Sequence, residues 1–393
     1  MRYSFRLAEV VGHVPDPRKR PGTIKAICDY TGLDRHQVAA LLKNEVKYIP
    51  LDALSKLCAY LIDRGFAKAD ELPGRLFGIE PEHFWELLAR RRRLELCLGV
   101  RRGEANDTLD DAWVVASDSV LLGELLNGAT TLATPAEHPE PLETEEGALA
   151  PAQPSPRPHP EYLHQSLVWS PGQASLAECQ AMANSVYQAF CDAVGDKALV
   201  CLGSNKSNPV VETLIAAAFG AEPFVTQDTI ASAAKRSCPI FLRYRDNDPQ
   251  FASCFSGLKL ARGQASTKAG IYYELADGSW ESCEWDANRR DAAFVIYVHR
   301  ESQGRMEMAL GGFSGRATRL LARLLARRGD EFWPPVYSDE GLQIGAFVVK
   351  FRLGGQGAND GGLDVDEYSA EDEIIRLDQE TLVRRMQHHE DKS

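Results

Sequence analysis

The chain has 393 residues, 44% of them hydrophobic and 25% charged, which is apolar material for two or three globular domains. It holds no run of eighteen apolar residues, and its start, MRYSFRLAEVV, lacks the apolar stretch and cleavage site of a secretory signal, so a membrane partner is excluded and a cytoplasmic setting expected. The net charge of −12 excludes a basic surface over the whole length, yet residues 1–103 carry 19 Lys and Arg against 13 Asp and Glu, a balance of +6 that leaves −18 for the remainder.

Residues 24–43, IKAICDYTGLDRHQVAALLK, read as two short helices joined by a tight turn. Ile24, Ile27 and Cys28 form one apolar face of the first. Gly32 stands where the chain needs a backbone angle that other residues resist. Asp34 restarts the helix as its cap, and Val38, Leu41 and Leu42 recur at helical spacing to seat the second helix on the first. The outward residues are then Arg35, His36, Gln37, Ala40, Lys43 and Asn44. Such side chains meet base edges and phosphates, Gln suiting adenine and Arg suiting guanine. Arg18, Lys19, Arg20 and Lys25 precede or open the motif, where phosphate contacts would position the second helix.

On these residues the segment resembles the phage repressor/Cro family of DNA-binding domains, over about the first 65 residues. Gly32 falls at that motif's turn position, Cys28 at its small-residue position and Val38 at its apolar position in the recognition helix. LDALSKLCAYL at 51–61 resembles the closing helix. Cys28 departs from the commoner Ala but matches its small volume. The resemblance implies an all-α domain on double-stranded DNA. A homodimer is expected on geometric grounds, because two recognition helices reaching successive major grooves gain affinity and half-site specificity.

Farther along, Pro73 and Gly74 mark a turn, and PEHFWELLARRRRLE reads as an amphipathic helix whose Arg90 to Arg93 run is a solvated face. LELCLGV at 94–100 reads as a strand, and AWVVASDSVLLGELL at 112–126 as a strand passing into a helix. Residues 133–160 are dense in Pro, Glu and Ala and read as a linker. Strand and helix patterns then alternate from QSLVW to AFVVKFRL, which predicts an α/β domain with a mainly parallel sheet. The expected division is 1–65 for the helix-turn-helix domain, 66–132 for a helical connector and the start of the α/β region, 133–160 for the linker and 161–353 for the α/β domain. An acidic, mostly disordered tail over 354–393 completes it, with room for one short helix in IIRLDQETLVRRMQ.

Two strand-to-helix junctions of the α/β domain are rich in small polar residues. The first holds Gly203, Ser204, Asn205, Lys206, Ser207 and Asn208; the second holds Gly311, Gly312, Ser314, Gly315, Arg316 and Thr318. Helix N-termini offer free amides, Lys206 and Arg316 add charge, and open α/β sheets bind ligands at strand carboxyl ends. Both loops are therefore expected to bind one small anionic or nucleotide-like ligand. Ser117, Asp118 and Ser119 read as a helix N-cap, Glu212 as a first-turn carboxylate favoured by the helix dipole, and His299 as a structural histidine. The nine cysteines have no zinc spacing, and no catalytic set, metal motif or cofactor fingerprint is found. These features predict a DNA-binding transcriptional regulator whose α/β domain senses a ligand or mediates assembly. An enzyme acting on a nucleotide or phosphorylated metabolite, and a DNA-associated scaffold, are the alternatives.

Overall fold

The computed structural model describes the chain apart from residues 1, 13–21, 44, 47, 70–71, 73–75, 90, 104–111, 134–161, 194, 227–229, 249, 264–267, 340–341, 354–368 and 391–393. The described residues divide into two units, Met1–Glu82 with Arg300–Arg305, and His83–His299 with Met306–Ser393.

The first unit contains β1 (Arg2–Phe5), α1 (Leu7–Val10), α2 (Gly22–Thr31), α3 (Arg35–Leu42), α4 (Leu51–Asp63) and β2 (Phe77–Glu80). Along α4, Ala53, Leu57, Tyr60 and Leu61 are buried at the spacing of one helical face. They close a core with Leu7, Ile27, Val38 and Leu76. β1 and β2 pair antiparallel, Phe5 opposite Phe77, and their rings meet edge to face at 5.4 Å. The unit therefore extends past residue 65 and is not purely helical, because the chain returns to cover its own N-terminus.

In the second unit the order is α5 (Glu86–Ala89), β3 (Arg93–Arg101), β4 (Trp113–Val114), α6 (Ala116–Ala133), β5 (Tyr162–Trp169), α7 (Leu176–Asp192), β6 (Lys197–Leu202), α8 (Pro209–Ala218), β7 (Ile240–Arg243), β8 (Ser256–Gly257), β9 (Gly270–Glu274), β10 (Trp280–Glu284), β11 (Arg290–Arg300), β12 (Arg305–Gly312), α9 (Gly315–Arg328), β13 (Tyr337–Asp339), β14 (Leu342–Leu353), β15 (Ser369–Arg376) and α10 (Gln379–Glu390). A large sheet runs β13-β14-β11-β12-β6-β3-β4, with β15 on β14 and β5 on β3. A smaller one runs β10-β9-β7-β8. Residues of β6, β11, β12 and β14 are almost continuously buried, as strands covered on both faces must be.

Three expectations are corrected here. The large sheet is mixed: β3 pairs parallel with β5 and β6, but β4 on β3, and β13 and β15 on β14, are antiparallel. The amphipathic helix shrinks to α5; Phe84, Leu87 and Leu88 are core, and Arg91 is buried, donating to Leu87 O and to the Asp196 carboxylate at 2.7 Å. The acidic tail is not disordered over 369–390, where β15 and α10 complete the unit. The linker at 133–160 lies outside the described residues except Ala133, the last residue of α6. Among the described residues no helix is long and apolar enough to cross a membrane.

Candidate functional site

The helix pair of the first unit is held by the residues that define its turn. Gly32 adopts φ +72°, the left-handed region that glycine enters without penalty. Asp34 Oδ1 accepts from Gln37 N at 2.8 Å, while Gln37 Oε1 accepts from Asp34 N at 3.2 Å, so a reciprocal capping box starts α3. Ile27 and Val38 are fully buried and Leu41 nearly so, fixing one face of α3 inward. Arg35, His36, Gln37 and Lys43 are exposed, as is Lys25 on α2. Arg35, Ala39 and Lys43 form one i, i+4 row beside His36 and Ala40, with small residues at mid-helix where its backbone can come near a partner. Arg18, Lys19, Arg20 and Asn44 lie outside the described residues.

In the second unit the two junctions meet. Gly203 N donates to Leu310 O at 2.9 Å, and a Cβ on Gly311 would lie 2.5 Å from the Gly203 carbonyl carbon. The glycines thus admit the chain's own backbone. Most polar groups of the loops are engaged internally. Asn208 caps α8, accepting from Val210 N and donating to Cys97 O and Leu202 O. Ser204 O accepts from the Ser207 and Asn208 amides and from Ser207 Oγ. Ser314 caps α9, accepting from the Arg316 and Ala317 amides, and donates to Asp291. Thr318 Oγ1 accepts from Gly312 N and donates to Ser314 O; Arg316 donates to Ala287 O.

Lys206 Nζ donates to Phe313 O at 2.7 Å and to Asp248 at 3.2 Å, and sits 3.9 Å from the Phe313 ring centroid. Burial pulls its pKa down to about 8 against the attraction of Asp248. Burial raises the Asp248 carboxyl, but the Arg245 hydrogen bonds and the Lys206 charge outweigh it and hold the group below the usual range. Beside Gly315 and Gly203 stand Ser117 and Asp118 of α6. Asp118 is buried, its Oδ2 has no hydrogen-bond partner, and desolvation lifts its pKa to about 6 although Ser117 donates to Oδ1.

Sequence reasoning missed the groups behind the first junction. Glu212 is fully buried and is more than a first-turn carboxylate: it accepts from Ser253 Oγ at 2.6 Å, Cys254 N at 2.6 Å and Phe224 N at 3.1 Å. Asn205, also fully buried, donates to Ser256 and Ser253. Tyr244, Ser253 and Ser256 of this network line a cleft of about 200 Å³. An acid inside the apolar run VVETLIAAA was the available clue, since a carboxylate on a helix buried all round needs donors from elsewhere. His299 Nδ1 bonds Gln343 Oε1 at 3.1 Å. Among the described residues no cluster of three or more His, Cys, Asp or Glu side chains could hold a metal ion.

No curated protein and no solved structure matches the chain. Residues 18–62 match the family model of the Cro/C1-type HTH DNA-binding domain, which spans α2, the Gly32 turn, α3 and nearly all of α4; the chain carries a DNA-binding helix-turn-helix of that type at its N-terminus.

Proposed function

We propose that the protein is a sequence-specific transcriptional regulator, binding duplex DNA through α3 as a homodimer and responding through its second unit to a small molecule. The observation that carries the reading is the capped recognition helix, which presents Arg35, His36, Gln37 and Lys43 outward within a Cro/C1-type segment. Arg35 and Gln37 read base edges; Lys25, Lys43, Asn44 and the run Arg18, Lys19 and Arg20 contact phosphates. Two copies place two such helices one DNA turn apart. The second unit's part is supported by its cleft and by the polar groups gathered at the carboxyl ends of β6 and β12. Lys206 is already neutralised by Asp248, so charge at the first junction gives no support for an anionic ligand. Genome-wide occupancy of wild type beside an Arg35→Ala/Gln37→Ala variant tests the reading. Discrete sites sharing a palindromic motif, lost in the variant, are expected; occupancy indistinguishable between the two proteins would overturn it.

A further inference from the structure

The floor of the cleft holds one hydroxyl proton more than its network can use. Ser253 gives its proton to Glu212 and accepts from the amides of Phe255 and Ser256 and from Asn205 Nδ2. Asn205 Nδ2 also donates to Ser256 Oγ at 2.6 Å. The Glu212 oxygen 3.4 Å away fixes the nitrogen of the Asn205 amide on this side, because a second oxygen there would be repelled. Tyr244 and Ser256 then share a single hydrogen bond between two hydroxyls. Two protons serve one bond, and the other proton meets no acceptor among the described residues. Both residues line the cleft, but Tyr244 has no exposed surface and Ser256 has 3%, so the Ser256 hydroxyl is the one that presents the spare donor to its wall.

We propose that this cleft binds a small neutral heterocycle through a ring or amide carbonyl that accepts the spare proton of the Tyr244–Ser256 pair. The remaining walls fit that class. Phe251 and Leu258 offer an apolar face for a ring, and Gln250 offers an amide that can both donate and accept. Among the described residues none of the lining side chains is charged, and Glu212 lies directly behind Ser253, so an anion would meet a carboxylate and no lining cation there. At about 200 Å³ the space suits a single ring with its substituents, below the roughly 300–1,000 Å³ of sites for larger ligands. Burial keeps the Tyr244 phenol protonated well above neutral pH, so the donor persists. The inference names the ligand class for the effector role given to the second unit and rests on that reading for its biological consequence.

Calorimetric titration of the full chain with two matched pairs tests it: uracil against orotate, and nicotinamide against nicotinate. Saturable binding of at least one neutral member, at least tenfold tighter than its carboxylate counterpart, is the expected result. Tyr244→Phe/Ser256→Ala removes both hydroxyls and should abolish the binding; Ala252→Trp adds bulk at a lining position that carries none of the network's polar groups and should do the same, with thermal unfolding confirming both folds. Absence of binding by both neutral compounds, equal affinity for the carboxylates, or wild-type binding by both folded variants would each overturn the proposal. Duplex affinity measured in the same samples separates the two readings: binding that leaves it unchanged supports the cleft and removes the sensor role, while intact duplex binding without any ligand uptake removes the cleft alone.

Discussion

Gln37 has two tasks that draw on one side-chain oxygen. It closes the capping box by accepting from Asp34 N, and it is the residue of α3 suited to adenine, which asks for the same oxygen together with the amide nitrogen. Gln37→Ala therefore mixes a lost cap with a lost contact. Gln37→Glu keeps the acceptor and helix propensity but reverses the base preference, so it should leave the unfolding midpoint nearly unchanged and weaken binding at an adenine position by about 1–3 kcal/mol. Comparison of the two variants by denaturation and by duplex titration checks this. Asp118 allows a second test at this scale. Its folded pKa of about 6 exceeds the ordinary 3.8, so the folded state holds a proton that the unfolded chain releases, and stability falls as pH rises from about 4 through 6. Asp118→Asn should remove that slope and gain about 1–3 kcal/mol at pH 7 relative to wild type. The difference between the two proteins' denaturation midpoints across pH 4 to 7 isolates it from other groups.

At the scale of elements, the sequence was most readable where one window contains both the pattern and its cause. The Gly32 turn, the Asp34 cap and the apolar runs of β6, α7 and α8 are local, and each formed where its residues predict. β15 is the opposite case. SAEDEIIR carries the composition of a disordered tail, but the cations that neutralise it lie upstream: Lys350 faces Glu373, Arg352 faces Glu371, and Arg328 binds Asp372. No window of the tail shows them. The parallel expectation failed where the link is short: only residues 340 and 341 separate β13 from β14 in the large sheet, too few for a crossover, so the two pair antiparallel. α10 is anchored by Arg385, buried against Glu274 and donating to Ala234 O and Arg236 O. Arg385→Ala leaves buried Glu274 with Arg384 as its remaining ion-pair partner and takes a donor from the Ala234 and Arg236 carbonyls, so it should cost about 1–3 kcal/mol in chemical denaturation. Truncation after Leu353 should likewise disrupt the second unit rather than leave it intact; cooperative unfolding at the wild-type midpoint would contradict this assignment of β15 and α10.

Across the whole molecule, charge is unevenly divided along the chain. The N-terminal 103 residues hold a +6 balance within a chain of −12, of which +2 lies in residues 1–82 with the helix-turn-helix and +4 in residues 83–103 of the second unit. Sites differed in how far they could be read in advance. The outward face of α3 follows from helical spacing around Val38 and Leu41. The cleft does not, because Asn205, Glu212, Tyr244 and Ser256 are brought together only when β7 and β8 pair beside α8. The claim on which the account depends is that α3 reads duplex DNA. Its most direct test is a fluorescence-anisotropy titration of the full chain on a duplex selected from a random pool and on a scrambled duplex, over a salt series, for wild type and Arg35→Ala. We predict at least tenfold preference for the selected duplex, affinity falling steeply with salt, and loss of the preference in the variant. No binding to either duplex at low salt, or equal affinities for the two in the wild-type protein, would contradict the account.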